Sequence, residues 1–487
     1  MNKWFKKYQR ELALLAGIIA ALFFFFINPF GVDAKAKLVL SIAALMITWW
    51  VLDAMPLAVV ALVPLVIFPL LHISSLKETA KSYSDSIIYL FMGGFFLGMA
   101  IEKWHLHKRI ALSIIKLTGT NGNSIVLGFI LSTGFLSMWL SNTATTMMMF
   151  PIASSVIHVI SQHAGDKGSL KNFSLTLMMA IAYASNFGGI ATIIGTPPNV
   201  AYISHLNDHY KHGIDFIKWM LLCMPLAVLL LVSLYFVMVK WLYPNHLTHN
   251  ENGRTFIEAQ LKEMGRLSVQ EKRVLAVFCS TAFLWITKDI ISASQKLFQL
   301  DDTIIALMGA LALFIVPSGR SKEAPEERLL DWDDTQRMAW GILLLFGGGI
   351  ALAKALEDAK LMQNLGQYIA SFATGNILVL IFVVALISVF LSEVMSNIAQ
   401  VIVMAPVISA VADALHINPL LLGIPMTLGA SCASMLPMGT PPNAIVFSSG
   451  HIKLKHMLKT GFVMNIICVV LITLFCWLLL PLIVPKF

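Results

Sequence analysis

Charge is what this sequence has least of. Asp, Glu, Lys and Arg make up 12% of its 487 residues, while 58% are hydrophobic. A soluble domain carries roughly a quarter charged residues. With half that share the chain cannot cover a water-facing surface, so lipid is the solvent for much of it. Cysteine is scarce too. Cys223, Cys279, Cys432, Cys468 and Cys476 form no Cys-x-x-Cys pair and lie mostly inside apolar runs, which argues against a disulfide framework or a thiolate metal site. No nucleophile–base pair, phosphate-cradling loop or metal-ligand motif is visible. The composition and motifs therefore predict a protein that is not an enzyme and needs no cofactor. The net charge of +8 does not point to nucleic acid, because the basic residues fall in short segments between apolar runs, where membrane proteins keep their cytoplasmic positives.

What the chain does have is runs long enough to cross a bilayer, near 11–30, 38–55, 57–72, 86–101, 217–242, 273–292, 302–317, 338–357 and 458–484. The basic segment Met1–Arg10 precedes the first run and no small-residue cleavage site follows it, which predicts a retained first helix. With the N-terminus in the cytoplasm, the segments 102–117, 240–273, 318–337 and 451–459 also lie inside. Together with Lys3, Lys6, Lys7 and Arg10 they hold roughly three-fifths of all Lys and Arg, as the positive-inside tendency requires. The expectation is a multi-pass protein of the cell membrane.

Two regions, about 122–205 and 374–447, are apolar yet rich in Ser, Thr, Asn, Gly and Pro. Such residues interrupt helices, which is tolerated at membrane depth only where protein or a water-filled cavity covers the freed backbone. The two regions belong to an internal repeat. Leu90-Phe91-Met92-Gly93-Gly94 answers to Leu345-Phe346-Gly347-Gly348-Gly349 at an offset of 255 positions, and Ser141-Asn142-Thr143 answers to Ser396-Asn397-Ile398 at the same offset. Gly195-Thr196-Pro197-Pro198-Asn199 recurs unchanged as Gly439-Thr440-Pro441-Pro442-Asn443. Duplicated halves with paired interruptions are the sequence signature of a transporter whose site lies where the repeats meet. An odd number of crossings per half would invert one copy relative to the other.

Ser141-Asn142-Thr143 sits between the apolar runs Ile125–Leu140 and Met147–Ile160, which predicts a re-entrant hairpin with Ser-Asn at its tip. There a helix's carbonyl end meets the amide end of the next. The amide end suits a carboxylate and the carbonyl end a small cation. Asn offers a carbonyl oxygen to the cation and an NH₂ to the anion. A lone Ser-Asn-Thr would read as a polar helix–helix contact; its duplication favours binding. Gly-Thr-Pro-Pro-Asn cannot continue a helix, so the chain must unwind there. Glu393, three residues before Ser396 in the second hairpin, reads as a proton or cation site or as an interior pair. His105 and His107 near Glu102 read as part of an interfacial amphipathic helix rather than a metal site. Asp53 and Lys354 lie near span ends, where they can snorkel.

At these motifs the chain resembles the divalent anion:sodium symporter family of dicarboxylate and citrate transporters. The likeness runs from Trp50 through the C-terminal helix. It implies an all-α membrane protein, an inverted-repeat, elevator-type homodimer with about 11 transmembrane helices and two re-entrant hairpins per protomer. The implied parts are mostly scaffold helices at 1–101 and 241–357, and transport elements at 102–240, with a cytoplasmic-side hairpin, and at 358–487, with an outer-side hairpin. By resemblance, Ser137, Ser141, Asn142 and the backbone at Gly195 hold one sodium ion, and Ser392, Asn397 and the backbone near Ala433 a second. Ser141, Asn142, Thr143, Ser396, Asn397, Thr196 and Thr440 contact a small di- or tricarboxylate (succinate, malate, fumarate, 2-oxoglutarate or citrate), with Pro197 and Pro441 shaping the pocket.

The family's second motif reads Ser-Asn-Thr, whereas this chain has Ile398, with Gln400 two residues on. One hydroxyl is thus missing from one carboxylate site. The family also holds sodium-independent exchangers, so sodium symport and anion exchange both stay open. An ion channel built on broken helices is the alternative from another class.

Overall fold

The computed structural model describes residues 8–28, 31–119, 121–162, 167–210, 214–245, 247, 251–294, 299–319, 327–371 and 376–483. Lys3, Lys6, Lys7, Arg320 and Lys322, used above to orient the chain, lie outside the described residues. The regular structure of the described residues is helical, with one isolated β-bridge between Pro317 and Arg328 and no strand among them. Among them nine helices are long and apolar enough to cross a membrane. Short caps, prolines and left-handed residues set their limits.

The first half opens with α1 (Gln9–Ile27) and α2 (Ala34–Val51). Next, α3 (Leu57–Val60) and α4 (Val63–Leu70) form one apolar stretch broken in two, with Pro64 at the start of the second piece. The short α5 (Leu76–Lys81) leads into α6 (Ser86–Lys103) and the amphipathic α7 (Leu106–Thr118). Two helix–break–helix units follow: α8 (Gly122–Ser137) with α9 (Asn142–Ser161), and α10 (Lys167–Gly189) with α11 (Pro197–Tyr210). The half closes with α12 (Phe216–Tyr235), which continues as a π-helical turn over Phe236–Leu242.

The second half opens with α13 (Glu251–Glu263), α14 (Val269–Ser294) and α15 (Asp302–Ile315). It continues with α16 (Trp340–Asp358) and the amphipathic α17 (Leu361–Ala370). Its broken units are α18 (Ile377–Leu391) with α19 (Asn397–Ala414), and α20 (Leu420–Ala430) with α21 (Pro441–Phe447). The long α22 (Leu454–Ile483) ends the chain.

The repeat seen in the motifs extends to the punctuation of the helices. His105, between α6 and α7, and Lys360, between α16 and α17, are both left-handed, with φ of 55° and 54°, and stand 255 positions apart. Asn121 caps α8 through Ser124 N, and Asn376, at the same offset, caps α18 through Leu378 N. Pro151 inside α9 answers to Pro406 inside α19. These residues fix where the chain turns rather than what it buries, so their pairing reflects one backbone path used twice.

The twin glycine motifs are packing devices. A Cβ on Gly93 would lie 2.8 Å from Ala306 of α15, and one on Gly348 would overlap the backbone of Ala61, between α3 and α4. Each half thus packs a glycine of its own against an element of the other. Gly94 and Gly349, again a pair, lie against Ile194 and Ile402, next to the broken units. Tyr83 adds a hydrogen bond from its hydroxyl to the Ala61 carbonyl.

Burial grades sharply across the bundle. From Phe173 to Ile194 nearly every residue of α10 and its C-terminal extension is buried, as in a helix surrounded by others. By contrast α1 leaves Leu15, Ile18, Ile19, Leu22, Phe23, Phe26 and Ile27 exposed and packs on α2. Only a lipid environment makes that surface favourable. His107, on α7, is buried and donates from Nδ1 to the Ile101 carbonyl at 3.2 Å, and among the described residues no cluster of His, Cys, Asp or Glu is arranged to hold a metal ion.

Gly93→Val and Gly348→Val force branched side chains into these crossings, where overpacking costs about 1–3 kcal/mol. Each should lower the thermal unfolding midpoint of the detergent-solubilised protein. Gly341→Val, whose Cβ would meet only the Ala58 methyl at 3.2 Å, should have the smaller effect. Equal midpoints for all three would show that the crossings are looser than the structure describes.

Candidate functional site

Helix α8 ends at Ser137, and α9 begins at Asn142 with Ser141 as its N-cap, its hydroxyl accepting from Ala144 N at 3.3 Å. Across this break Ser137 Oγ donates to Asn142 Oδ1 at 2.8 Å. The second copy repeats the arrangement: Ser392 Oγ lies 2.7 Å from Asn397 Oδ1 and 2.5 Å from the Ala430 carbonyl. Both serines are buried, and both asparagines are half-buried at helix N-termini. The second arms start at the asparagines themselves rather than several residues later, so Thr143 and Ile398 lie in the first helical turn. Serine is a favoured N-cap: Ser141 caps its arm through its hydroxyl, while Ser396 holds the N-cap place of the other without a side-chain bond, and the apolar run farther on does not mark the start.

The Gly-Thr-Pro-Pro-Asn motifs lie just beyond two other breaks. Their prolines open α11 and α21 rather than ending a helix; a missing N–H costs nothing at a first helical position. The unwound stretches precede them, about 190–196 and 431–440. The final asparagine of each motif ties its stretch down. Asn199 Nδ2 donates to the Thr192 carbonyl at 2.8 Å and the Ile190 carbonyl at 3.4 Å. Asn443 Nδ2 donates to the Leu436 carbonyl at 3.1 Å and the Ala433 carbonyl at 3.4 Å. This is how backbone groups freed from a helix are satisfied without water.

Close approach brings the first tip and the first unwound stretch together. A Cβ on Gly195 would sit 3.0 Å from the carbonyl oxygens of Ser137 and Met138, and one on Gly189 would strike Asn142 Oδ1. Glycine at both positions lets Ser137, Asn142 and backbone carbonyls gather oxygens in one place. Ser392, Asn397 and the Ala430 carbonyl do the same in the second half. Both clusters are all oxygen, the donor set of hard cations. The N-termini of α9, α19, α11 and α21 all open at these breaks, and helix N-termini favour anions.

One residue that the motifs do not point to links the two halves. Asn186, fully buried on α10, accepts from Asn142 Nδ2 at 3.4 Å and donates to Thr440 Oγ1 at 3.2 Å. It joins the first Ser-Asn tip to the second Gly-Thr-Pro-Pro-Asn. Tyr183, one turn earlier, donates to the Ser434 carbonyl at 2.7 Å, so α10 holds the unwound stretch of the second half at two points. Thr440 Oγ1 also accepts from Asn443 N at 3.4 Å; with two donors on its oxygen, its own proton is directed elsewhere. Thr196, its twin, is buried, whereas Pro441 is exposed and Pro197 half-buried.

The remaining sequence candidates separate. Ile398 packs against both apolar clusters of the protein, filling with hydrocarbon the space where its twin Thr143 has a hydroxyl. Gln400 turns inward and donates to Ser388 O and Oγ at 2.9 and 2.6 Å. Glu393 is buried and, among the described residues, forms no ion pair: it accepts from three backbone amides and from Asn465. Asp53 is an exposed left-handed turn residue. Lys354 lines a cavity of about 410 Å³ between α11, α16 and α19, together with Asp85, His205, Asp208, His209 and Glu357. There His209 lies between Glu357 (2.9 Å) and Asp413 (3.3 Å).

A bundle of crossing helices with paired interior breaks is the architecture of a membrane transporter, and solved structures share it. The chain superposes on the Alcanivorax borkumensis YdaH transporter with a TM-score of 0.60, 13% identity, and coverage of 92% of this chain and 100% of that one. It superposes on Neisseria gonorrhoeae MtrF, described within a class of antimetabolite efflux pumps, with a TM-score of 0.54, 12% identity, and coverage of 83% and 84%. Sequence narrows the class: the chain belongs to the family defined by the sodium:sulfate symporter transmembrane region, which it matches over residues 6–483. It is 36% identical to the sodium-dependent dicarboxylate transporter SdcS of Staphylococcus saprophyticus over 485 residues, 99% of this chain and 93% of that protein. To SdcS of Staphylococcus aureus it is 36% identical over 474 residues, 96% and 91% of the two chains.

Replacing Asn186 with Leu leaves Thr440 and Asn142 each short of a partner, a loss of about 1–3 kcal/mol for a buried polar group. The expected result is a lower thermal midpoint for Asn186→Leu, with partial recovery in Asn186→Gln. A midpoint equal to wild type would show that the bridge between the halves is not made.

Proposed function

We propose that the protein is a secondary active transporter that carries small di- or tricarboxylates across the cell membrane together with sodium ions. The observation that carries this reading is the twin pair Ser137–Asn142 and Ser392–Asn397, each an oxygen cluster beside a helix N-terminus at a break inside an apolar bundle. Near-full-length similarity to proteins described as sodium-dependent dicarboxylate transporters supports both the substrate class and the ion.

In the proposed site one sodium ion takes oxygens from Ser137, Ser141, Asn142 and the backbone at Gly195, and the other from Ser392, Asn397 and the backbone near Ala433. The substrate's carboxylates face the helix starts at Ser141-Asn142-Thr143 and Ser396-Asn397, with Thr196 and Thr440 as hydroxyl donors and Pro197 and Pro441 as walls. Among the described residues the tips offer no Lys, Arg or His. Bound cations therefore supply the charge that four partial helix dipoles do not.

Counting each broken helix pair α3/α4, α10/α11 and α20/α21 as one crossing gives eleven crossings, with α8/α9 and α18/α19 as hairpins entering from opposite sides. The N-terminus then lies in the cytoplasm and the two repeats are inverted. Segments 1–101 and 241–357 form mostly a scaffold that holds a homodimer. Segments 102–240 and 358–487 carry the site, and they move as a unit in an elevator cycle.

Labelled succinate uptake into proteoliposomes, with and without external sodium and with and without internal dicarboxylate, tests the reading. Uptake that needs sodium and no internal anion is expected. Uptake indifferent to sodium but dependent on internal anion would make the protein an exchanger, with Ile398 the residue to change back to Thr first. Asn142→Ala and Asn397→Ala should each lower uptake at least about tenfold with an unchanged size-exclusion profile. Near-normal transport in both would move the site away from the tips.

A further inference from the structure

The two tips share the serine–asparagine bond, but one break is held by a charge. Glu393 follows Ser392 directly and is 4% exposed. Its Oε1 accepts from Ser434 N at 2.7 Å, Met435 N at 2.8 Å and Asn465 Nδ2 at 2.7 Å, and its Oε2 accepts from Leu436 N at 3.0 Å. All four partners are amides and none is a cation. The same position in the first half, 255 residues earlier, is Met138. There the Thr192 hydroxyl donates to the Met138 carbonyl at 2.5 Å and accepts from Gly195 N at 3.1 Å, and no ionisable group takes part.

We propose that Glu393 is a positioning residue that aims the backbone carbonyls of the second break and makes the Ser392–Asn397 cluster the tighter of the two cation sites. The proposal rests on the transport reading above and goes beyond it by ranking the sites. A trans peptide points its N–H and the preceding C=O in opposite directions. Drawing the amides of Ser434, Met435 and Leu436 onto one carboxylate therefore turns the carbonyls of Ala433, Ser434 and Met435 away from it. The Ser434 carbonyl goes to the Tyr183 hydroxyl at 2.7 Å, while that of Ala433 accepts from Asn443 Nδ2 at 3.4 Å. Without the carboxylate, consecutive amides would be buried without acceptors.

The charge acts beyond the hydrogen bonds. Inside protein a carboxylate attracts a nearby cation far more strongly than in water, and it repels a substrate carboxylate by the same rule. A Cβ on Gly439 would lie 3.0 Å from Glu393 Oε2, so the glycine of the second Gly-Thr-Pro-Pro-Asn sits against this charge. Ile398, in place of a hydroxyl, removes a carboxylate donor from the same tip. Both departures from the repeat bias the second tip toward the cation and leave the first as the stronger anchor for the substrate.

The test reads sodium binding without transport. Purified protein in detergent is melted over a sodium chloride series balanced with choline chloride, and the half-stabilising sodium concentration is compared among variants. Glu393→Gln, which removes the charge, is expected to raise that concentration about tenfold; Glu393→Asp, which keeps it, recovers most of the loss. A merely structural role would lower the midpoint in choline and sodium alike without moving the half-stabilising concentration, and that result overturns the proposal, as does Asp behaving like Gln. If Glu393→Gln does not yield monodisperse protein, Asn465→Leu removes one donor and leaves the charge. Sodium binding as tight as wild type or tighter then supports the proposal, and weaker binding overturns it. Failure of the wild type to transport succinate, with sodium stabilisation and its dependence on Glu393 intact, would refute the carboxylate substrate and leave this inference standing. A wild type that takes up succinate but shows no sodium stabilisation would overturn it.

Discussion

Every feature of the interior follows from one constraint: a helix broken at membrane depth frees amides and carbonyls that lipid cannot satisfy. Among the described residues the two repeats hold four such breaks in their hairpins and Gly-Thr-Pro-Pro-Asn units, and at each of the four a side chain takes the place of water. Ser137 and Ser392 bridge to the asparagines that open the next helix, and Asn199 and Asn443 bond the carbonyls of the unwound stretches. Glu393 collects three amides that nothing else accepts from. The polar residues that set this sequence apart from an ordinary apolar bundle are thus the condition for having breaks at all. The breaks in turn bring helix N-termini and carbonyl oxygens to one level in the fold.

Duplication meets this constraint twice with one plan, and the halves are then locked into each other. Gly93 packs on Ala306 while Gly348 packs on Ala61; Tyr183 and Asn186 of the first half bond Ser434 and Thr440 of the second. Because the interleaving runs through buried hydrogen bonds as well as apolar packing, a change at one tip has a physical route to the other through the single helix α10.

Much of this was legible in the residues. The repeat offset, the Ser-Asn pairs and the breaks near Gly-Thr-Pro-Pro-Asn stand in the sequence because identical local chemistry was used twice. The exact role of the prolines was not: their inability to donate marks a discontinuity equally well whether they end a helix or, as here, begin one. Asn186 was invisible because it has no twin. At the offset of the Gly-Thr-Pro-Pro-Asn motifs its counterpart is Ala430, and it lies in a helix buried on all sides, where no period distinguishes it. The environment of Glu393 was hidden for another reason. Its partners are backbone amides about forty residues away, and an amide carries no residue-type signal. His209, between Glu357 and Asp413, joins residues from three separate helices whose proximity no spacing reveals.

The absence of basic side chains at the tips bears most directly on coupling. A site lined by Arg or Lys would hold a dicarboxylate whether or not an ion was present. A site built from helix starts and neutral oxygens holds a doubly charged anion poorly in low dielectric. Cations bound first make the same site attractive to it, and binding of one partner then raises affinity for the other by the same factor in both directions. On that argument the coupling of substrate to ion proposed above follows from the scarcity of charge at the tips. Adding a lysine at a tip would loosen that tie even as it strengthened binding.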